Sequence, residues 1–452
     1  MNSPNNTINL RTGKKLKTLD IIWGCGHPPD IVESIFSYNY CLKTSRQLCK
    51  SSELNKLGLE IISWHEPVFY DQICRCLIDN QLNADSLLIV ANPELVISPE
   101  AVKKMVKTLE GSSAGAVLPV FNETANPVQA ANLPAIYLNL STYLEVADLM
   151  QNETPPILAS GDLDCSCVLI HRDFVQNFIL FVNNKEPFKS IKQPCKNSSD
   201  SLQNSKTFLH NSEISFQDVL TAFVCSLVSQ NLCLIDTTAL IHSFGRYYGG
   251  QREDLVSLVP ESASNVLDVG CAKGGFGELM KTKRPDTHLT GVEMNSVMAD
   301  IASLHYDKIY NMKIEDVNFK TEFDHINCGD IIEHLYEPWQ MIKLFHSLLK
   351  KNGSLVISIP NAGHWTIVND LAQGRFQYLP VGLLCLTHIR WFTEESIKEA
   401  LYDAGFEIEL FVREQIPPTP KGVSFLKLLC QNGMGDRISL LTNQFNIRAW
   451  KR

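Results

Sequence analysis

The chain has 452 residues, with 40 Lys and Arg against 49 Asp and Glu, and therefore a formal net charge of −9. Because domains usually span ~100–200 residues, this length predicts two or three of them. Hydrophobic residues make up 44% and charged residues 20%, a balance that excludes fibrous and disordered classes. The acidic surplus argues against nucleic acid as the main partner.

The first eighteen residues are polar and lack the apolar core of a secretory signal. No stretch reaches the ~18 uninterrupted apolar residues of a membrane span. We therefore expect a cytoplasmic protein with a disordered tail over residues 1–17, no integral membrane segment and, if any, peripheral membrane contact. The pattern does not specify an oligomeric state. The scattered cysteines are interpreted as reduced, mostly buried thiols.

Apolar runs in the first half predict buried strands at Leu19–Ile22 and Leu87–Val90, with a helix at Asp71–Asp79 between them. Strands that alternate with helices indicate an α/β sheet. Residues 183–206, rich in Lys, Asn and Ser, predict a long loop. A stretch rich in Gly, Tyr and Arg separates this region from a second alternating series, so we place a domain boundary near Phe244.

The second half alternates more clearly and predicts a doubly wound, seven-stranded domain. In such a sheet the ligand lies beyond the carboxyl ends of the parallel strands. The predicted strands are Asn265–Val269, His288–Val292, Asp307–Tyr310, His325–Cys328, Leu355–Ile359, Glu407–Val412 and Gln444–Ala449, and the predicted helices are Phe276–Lys281, Asn295–Ser303, Trp339–Lys350 and Glu394–Ala404.

A glycine-rich turn, DVGCAKGG, follows the first of these strands at residues 268–275. Small residues let the backbone approach a ligand, and the helix that follows offers free N–H groups. As a nicotinamide fingerprint the turn would be GxAxxG with Glu293 downstream, so an NAD-dependent oxidoreductase is an open alternative. Asp268 can meet a ligand ammonium, and Glu293 can accept both ribose hydroxyls; these acids favour S-adenosylmethionine.

Val266–Phe411 resembles the class I S-adenosylmethionine-dependent methyltransferases, specifically the branch common in bacterial glycan gene clusters. The resemblance rests on five motifs: VLDVGCAKGG, GVEMN, FDHINCGDIIEHLYEP, LLKKNGSLVISIPN and GLLCLTHIRWFTEESI. It implies S-adenosylmethionine as cofactor and methyl transfer to an oxygen of a sugar or glycan intermediate. The implied cofactor-binding residues are Asp268, Gly270, Ala272, Gly274, Glu293, Met294, Glu315 and Asp330.

This sequence departs from the family pattern in two places. Ala272 stands where the family usually has Gly. Lys313 stands where members tend to carry the acid that holds the adenine amine, so Glu315 or Asp316 would have to make that contact.

The run CGDIIEHL at residues 328–335 is predicted to lie over the methyl-transfer position. His334 is the first candidate for the general base and His388 the second, because a neutral imidazole near pH 7 suits proton removal. Asp330 is a further catalytic candidate. Either histidine can instead be structural.

Asp330, Glu333 and His334 are spaced i, i+3 and i+4, which predicts one helical face able to hold a divalent ion. This run resembles E-x-x-E-H of the ubiquinone-pathway O-methyltransferases, with Asp330 in place of the first Glu. The resemblance implies a magnesium-type site that fixes the acceptor oxygen. The alternative is a helix N-terminus rich in acids for dipole reasons.

The acceptor pocket is expected from residues 363–386. Its aromatic side chains could stack on a sugar face or simply pack in the core. The residues concerned are Trp365, Phe376 and Tyr378.

The first half resembles a family 2, GT-A-fold glycosyltransferase in Asp20–Ser37, Asp85–Pro99, Ser160–Asp173 and Phe216–Phe244. The resemblance implies Mg²⁺ or Mn²⁺ at a DxD motif, and a sugar nucleotide, a glycan or a lipid-linked glycan as partner. Here the motif is Asn-Pro-Glu at residues 92–94, so one carboxylate is missing.

By the same resemblance, Asp218 fits the catalytic base, and Glu94 and His242 are the candidate metal ligands. With one acid of the pair absent, we expect a weak or inactive transferase that holds a sugar nucleotide or glycan. A bifunctional glycosyltransferase and methyltransferase, and a non-catalytic glycan-assembly scaffold, are alternatives. The expected fold is thus α/β with two domains: GT-A-like and Rossmannoid over 18–244, then a seven-stranded methyltransferase domain over 245–452.

Overall fold

The computed structural model describes residues 15–23, 32–56, 59–65, 84–92, 94–122, 124, 126–150, 155–183, 216–243 and 250–452. The predicted helix Asp71–Asp79, the boundary near Phe244, residues 1–14 of the tail and residues 184–206 of the loop lie outside these ranges. Just before the first strand, Leu16 is buried, and its backbone N–H donates to Glu110 Oε1 at 2.6 Å.

The chain divides into two compact units. The first comprises Met1–Pro134 and Ala147–Gly245, and the second comprises Ala135–Val146 and Arg246–Arg452. The predicted first domain, 18–244, therefore differs from the first unit, which omits Ala135–Val146 and also includes residues 1–17 and Gly245. Among the described residues, no helix is long and apolar enough to cross a membrane.

The first unit is built on a mixed sheet with the strand order β2-β1-β3-β7-β5-β8-β4, and β6 pairs with β8. Strands β2, β1 and β3 are parallel, whereas β7 runs antiparallel to β3 and β5. The strands are β1 (Thr18–Trp23), β2 (Glu60–His65), β3 (Ser86–Val90), β4 (Leu95–Val96), β5 (Ala116–Phe121), β6 (Ile157–Leu158), β7 (Cys167–His171) and β8 (Cys233–Ser243).

Strands β3 and β5 are buried along their whole length, as expected for apolar runs covered on both faces of a sheet. The predicted strands Leu19–Ile22 and Leu87–Val90 are thereby confirmed as parts of β1 and β3. Within the described residues before 244, the helices are α1 (Val32–Leu48), α2 (Ser51–Lys56), α3 (Pro99–Glu110), α4 (Leu140–Leu149), α5 (Arg172–Asn183) and α6 (Phe216–Val228).

The second unit is built on a seven-stranded sheet with the order β11-β10-β9-β12-β13-β15-β14. The first five strands in this order are parallel, and β15 is antiparallel to both of its neighbours. The strands are β9 (Asn265–Val269), β10 (His288–Val292), β11 (Lys308–Tyr310), β12 (Phe323–Gly329), β13 (Leu349–Pro360), β14 (Phe406–Gln415) and β15 (Thr442–Lys451). The seven predicted strands are confirmed.

Strand order reverses at β9, because β10 follows on one side and β12 lies on the other. A ligand crevice forms at such a switch point, beyond the carboxyl ends of the strands. Apolar side chains of β9, β12 and β13 form the core beneath it. The helices are α7 (Glu253–Val256), α8 (Gly275–Lys283), α9 (Ser296–Ala302), α10 (Pro338–Leu348), α11 (Trp365–Ala372), α12 (Glu394–Asp403), α13 (Pro420–Gln431) and α14 (Arg437–Leu441).

Candidate active site

The glycine-rich turn lies between β9 and α8, at the switch point. Gly270 has φ +72°, which strains any L residue, and a Cβ there would lie 2.0 Å from Ile331 Cδ1, so a larger residue would also have to displace that side chain. Gly274, with φ +88°, caps the start of α8. Ala272 adopts φ +46°, in the left-handed region that favours glycine. The turn therefore keeps its shape with one residue under backbone strain.

Asp268 lies buried beneath this turn, at the end of β9. The Tyr306 hydroxyl donates to one carboxylate oxygen, and Asn327 Nδ2 donates to the other at 2.6 Å. Burial raises the pKa of Asp268 to about 6, against the lowering effect of both hydrogen bonds. Both oxygens thus have protein partners, and the predicted contact with a ligand ammonium stays a prediction.

Glu293 follows β10 and joins the turn to the start of α9. Its Oε2 accepts from Ala272 N at 3.0 Å and its Oε1 from Asn295 N at 2.8 Å. The structure therefore brings Glu293 to the glycine-rich turn, and its role in cofactor binding stays a prediction. Met294 is exposed beside it, and Glu315 is exposed in the 3-10 turn Ile314–Asp316 that follows β11.

Asp330 lies beyond β12 in a polar network at the carboxyl edge of the sheet. Arg252 Nη1 donates to its Oδ2 at 2.8 Å. Ser358 Oγ and Gln444 Nε2 donate to its Oδ1 at 2.7 and 2.8 Å. Arg252 also pairs with Asp254 at 3.0 Å. Asp330 thus ties β12 to β13, β15 and the segment before α7.

The predicted shared helical face of Asp330, Glu333 and His334 is wrong. Asp330 has φ +54°, and Ile332–His334 form a 3-10 turn, so the 3.6-residue period does not apply. The structure instead brings Glu333 and His334 together with His388. One ligand atom from each of these three side chains lies within 4.8 Å of the others. We call these three residues the carboxylate–imidazole cluster.

Backbone hydrogen bonds hold this cluster together. The N–H groups of Ile389 and Arg390 both donate to the Glu333 carbonyl oxygen at 3.0 Å, which places His388 beside the 3-10 turn. His388 Nε2 lies 3.9 Å from Glu333 Oε1. The two imidazole rings contact each other edge to face, with centroids 4.7 Å apart.

The tautomers of both imidazoles follow from their partners. His334 Nδ1 lies 3.1 Å from the Thr387 carbonyl oxygen, and His388 Nδ1 lies 3.1 Å from that of Leu383. A carbonyl only accepts, so each Nδ1 carries the proton and each neutral ring has its lone pair on Nε2. Burial lowers the pKa of His334, and lowers that of His388 to about 4, so both rings are neutral at pH 7.

Glu333 is buried, and neither of its carboxyl oxygens has a hydrogen-bond partner. Desolvation by burial raises its pKa well above the ordinary value. A buried carboxyl group without a partner costs free energy, and such an oxygen calls for a proton donor or a cation. Together with two Nε2 lone pairs it forms a donor set that a divalent ion could use.

The family model described as "Methyltransferase domain" matches residues 244–410. A ubiquinone biosynthesis O-methyltransferase of Coxiella burnetii is 33% identical over 129 residues, which are 26% of this chain and 53% of that protein. The chain thus spans about half the length of this curated relative. The second unit carries a class I S-adenosylmethionine-dependent methyltransferase domain. S-adenosylmethionine is therefore its cofactor.

Two solved structures are also similar to the chain. A putative S-adenosylmethionine-dependent methyltransferase from Listeria monocytogenes has a TM-score of 0.33 and 15% identity, covering 45% of this chain and 98% of that one. The N-methyltransferase NodS from Bradyrhizobium japonicum, in complex with S-adenosyl-L-homocysteine, has a TM-score of 0.30 and 16% identity, covering 46% and 91%.

Sequence reasoning missed three polar residues of the methyltransferase domain: Arg252, Tyr306 and Asn327. Arg252 belongs to the stretch rich in Gly, Tyr and Arg, which we interpret only as a domain boundary. Tyr306 and Asn327 carried no sequence signal, because only the fold brings them to Asp268.

The predicted site residues of the first unit lie on separate elements. Asp218 lies in the first turn of α6, next to Gln217, whose Nε2 donates to Ser166 Oγ at 3.4 Å. His242 on β8 pairs with Val96 of β4, and burial lowers its pKa to about 3. Within the described ranges, neither His242 nor Glu94 belongs to a group of three metal-ligating side chains.

Proposed function

We propose that the second unit transfers a methyl group from S-adenosylmethionine to a hydroxyl oxygen, and that the carboxylate–imidazole cluster receives that hydroxyl. The observation that carries the proposal is Glu333, a buried carboxyl group with both oxygens unpartnered, facing two imidazoles that present Nε2 lone pairs. The curated relative is named as an O-methyltransferase, which supports oxygen as the acceptor atom.

S-adenosylmethionine supplies a methyl group on a positively charged sulfur. In the transfer, an O–CH₃ bond forms and an S–CH₃ bond breaks, with its electron pair left on sulfur. The chain has to align the hydroxyl and take up its proton. His334 is our first candidate for the base that accepts this proton, and His388 is the second. The reason is exposure: the His334 side chain is half-buried, whereas that of His388 is buried.

The same three groups fit a divalent cation. Each Nδ1–H donates to a backbone carbonyl, the arrangement that orients metal-binding imidazoles. Two imidazole nitrogens and one carboxylate suit a transition-metal ion better than Mg²⁺, which prefers oxygen ligands, and Mn²⁺ is the paramagnetic probe for such a site. Asp330 is absent from the set because it binds Arg252. A bound ion would occupy both Nε2 lone pairs, so metal binding is the alternative to proton uptake by His334 or His388, and the ion would then polarise the acceptor hydroxyl.

The test combines turnover with metal binding. Formation of S-adenosyl-L-homocysteine and of an O-methyl product is measured with Mn²⁺, with Mg²⁺ and with a chelator. Mn²⁺ affinity is measured by electron paramagnetic resonance on the full chain and on Glu333→Gln. The matched control is Glu395→Gln, an exposed acid on α12. Glu333→Gln should lose Mn²⁺ binding and most turnover; equal Mn²⁺ affinity in both variants would refute the metal assignment.

For the first unit we propose a GT-A-like domain that holds a sugar nucleotide or glycan, weak or inactive as a glycosyltransferase. The support is the sequence resemblance, together with an α/β unit in which Asp218 opens α6. The test is Mn²⁺-dependent hydrolysis of sugar nucleotides by the full chain and by Asp218→Asn. Robust hydrolysis by the full chain that is lost in Asp218→Asn would show that the protein is bifunctional. A glycan acceptor, peripheral membrane contact and cytoplasmic location stay predictions.

A further inference from the structure

One segment from the first half of the chain, Ala135–Val146, belongs to the second unit. Three of its polar side chains bind residues of that unit that lie 229 to 276 positions later in the sequence. These side chains are Asn139, Ser141 and Glu145, and we call the three residues the brace. Contacts over such sequence distances exist only in the folded chain.

Asn139 precedes the first residue of α4 and uses both ends of its side-chain amide. Its Oδ1 accepts from Thr142 N at 3.0 Å, as the side chain of a helix N-cap does. The other end, Nδ2, faces Asp370 and donates to its Oδ2 at 2.7 Å. Asn139 and Asp370 are both buried. A hydrogen bond to a charged group is stronger than one between neutral groups, so this contact is a firm one.

Ser141 and Glu145 are four residues apart on α4 and therefore lie on the same helical face. Ser141 Oγ lies 3.4 Å from Asp370 Oδ1. Glu145 reaches the start of α13, where its Oε2 accepts from Thr419 Oγ1 at 2.7 Å and its Oε1 accepts from Lys421 N at 2.9 Å. A carboxylate at a helix N-terminus satisfies a free N–H and interacts favourably with the helix dipole. Glu145 thus stabilises the start of α13.

The brace contacts two helices that pack against each other. Trp365 of α11 and Leu426 of α13 belong to one small core, together with Leu440 of α14. The two helices approach closely, because a Cβ at Gly422 of α13 would lie 2.6 Å from Trp365 Cη2. The brace binds α11 at Asp370 and α13 at its first turn, so it holds this helix pair at two points.

Asp370 also binds the start of the segment that carries His388. Arg375 N donates to the Asp370 carbonyl oxygen at 2.8 Å, and Arg375 Nη2 donates to Asp370 Oδ1 at 2.6 Å. Later in the same segment, the Leu383 carbonyl oxygen accepts from His388 Nδ1 at 3.1 Å. The orientation of the His388 ring therefore depends on a segment whose start is bound to Asp370.

We propose that Asn139 and Glu145 are positioning residues of the methyltransferase domain: they fix α11 and α13 so that the segment after α11 presents His388 to Glu333. This inference rests on the proposed function, because His388 and Glu333 belong to the carboxylate–imidazole cluster. The functional methyltransferase then includes residues that precede the predicted boundary near Phe244.

The experiment breaks one contact of the brace in the full chain and then restores it. Asn139→Asp keeps an oxygen that can cap α4 but places a carboxylate against that of Asp370. Adding Asp370→Asn re-forms an amide–carboxylate hydrogen bond with the two groups exchanged. Glu145→Gln is a second, milder variant. The matched control is Asp148→Asn, at an exposed acid on the same helix.

Amide hydrogen exchange, followed by mass spectrometry, locates the segments that loosen. The Ile389 and Arg390 amides donate to the Glu333 carbonyl oxygen, so their exchange reports the position of the neighbouring His388. Mn²⁺ affinity, measured by electron paramagnetic resonance, reports the arrangement of the cluster. Calorimetry gives the affinity for S-adenosylmethionine, and thermal unfolding shows that each variant folds.

We expect Asn139→Asp to speed exchange about 10-fold at residues 365–375 and 388–390, the factor for one lost hydrogen bond to a charged group. Mn²⁺ affinity should fall with it. Exchange in β9 and β10 and the affinity for S-adenosylmethionine should stay within about twofold, since the brace does not bind those strands. Adding Asp370→Asn should restore the wild-type exchange to within about threefold. Glu145→Gln should speed exchange at Lys421, and Asp148→Asn should change nothing.

Three results overturn the positioning role: unchanged exchange at residues 388–390 in Asn139→Asp, equal acceleration in β9 and β10, or no recovery in the double variant. Equal acceleration would mean that the contact only adds to the overall stability of the unit. Failure of the proposed function gives a different result, because a wild-type protein that forms no O-methyl product and binds no Mn²⁺ would still show the exchange pattern of the brace.

Discussion

The hydroxyl group of Tyr306 donates a hydrogen bond to the buried carboxylate of Asp268. Two glycines make room for the phenol ring: a Cβ at Gly277 would lie 2.3 Å from Tyr306 Cε2, and one at Gly291 would lie 3.1 Å from its Cδ1. The bond links the end of β9, where the glycine-rich turn begins, to the segment after α9. A residue distant in sequence thus holds the strand end at which the glycine-rich turn begins.

Removing that hydroxyl should destabilise the second unit. Tyr306→Phe leaves one oxygen of Asp268 without its donor in a buried site, which should lower the free energy of unfolding by ~1–2 kcal/mol. Urea unfolding of the full chain measures this, with the transition that shifts on adding S-adenosylmethionine assigned to the second unit. Tyr402→Phe, at an exposed ring, is the control. Equal stability of the two variants would contradict the anchoring role.

Glu293 should contribute directly to cofactor affinity. Glu293→Gln keeps the size of the side chain, but one carboxylate oxygen becomes an amide nitrogen, which cannot accept a hydrogen bond. The variant therefore keeps only one of the two hydrogen bonds from the N–H groups of Ala272 and Asn295. Loss of one backbone contact and of the predicted bidentate contact with the ribose should weaken S-adenosylmethionine binding by ~1.5–3 kcal/mol in calorimetry. Glu278→Gln, at an exposed acid on α8, should bind normally. Unchanged affinity in Glu293→Gln would mean that the site is misplaced.

Because Ala272 has a left-handed backbone conformation, we expect Ala272→Gly to stabilise the second unit. A left-handed conformation costs an L residue ~1–2 kcal/mol, more than the ~0.5–1 kcal/mol of backbone entropy that glycine loses on folding. We expect a gain of ~0.5–1 kcal/mol in the urea-unfolding assay. Ala372→Gly, at an exposed position in α11, should have the opposite sign. A loss at Ala272 would show that its φ is unstrained.

The sequence predicted the strands, the glycine-rich turn and the place of Glu293 at the end of the next strand because these features depend on local periodicity and on strand ends meeting at one edge of a sheet. It misplaced Asp330 because a helical period was assumed where the chain makes a left-handed residue and a 3-10 turn. His388 was named as a base, but its pairing with Glu333 depends on backbone hydrogen bonds between distant segments. The spacing of residues in the sequence does not indicate such hydrogen bonds.

Arg252 and Asp330 should be energetically coupled to each other, because the two side chains form an ion pair, are only partly exposed and share Ser358 as a hydrogen-bond partner. A double-mutant cycle with Arg252→Gln and Asp330→Asn should give a coupling energy of ~1–3 kcal/mol. The exposed pair of Lys283 and Glu253 is the comparison and should give less than ~0.5 kcal/mol. A coupling near zero for the first pair would mean that Arg252 is held by Asp254 alone.

The last prediction concerns acid stability and the buried imidazole of His325. His325 lies on β12, and its Nδ1 lies 2.7 Å from Ser354 Oγ. Burial, with Arg448 and Arg284 nearby, lowers its pKa to about 3. The ring therefore stays neutral in the folded protein at a pH where it is protonated in the unfolded chain.

The sign follows from proton binding. Between pH 6.5 and about 3 the unfolded chain binds a proton at His325 that the folded chain does not, so this contribution to stability is complete above pH 6.5 and is lost as pH falls. The slope is ~1.4 kcal/mol per pH unit for one such proton. His325→Gln removes the titration, so the stability of the variant should fall less steeply with acid. Urea unfolding at pH 7, 6 and 5 measures the slopes, and parallel slopes for wild type and variant would show that His325 takes up its proton in the folded state.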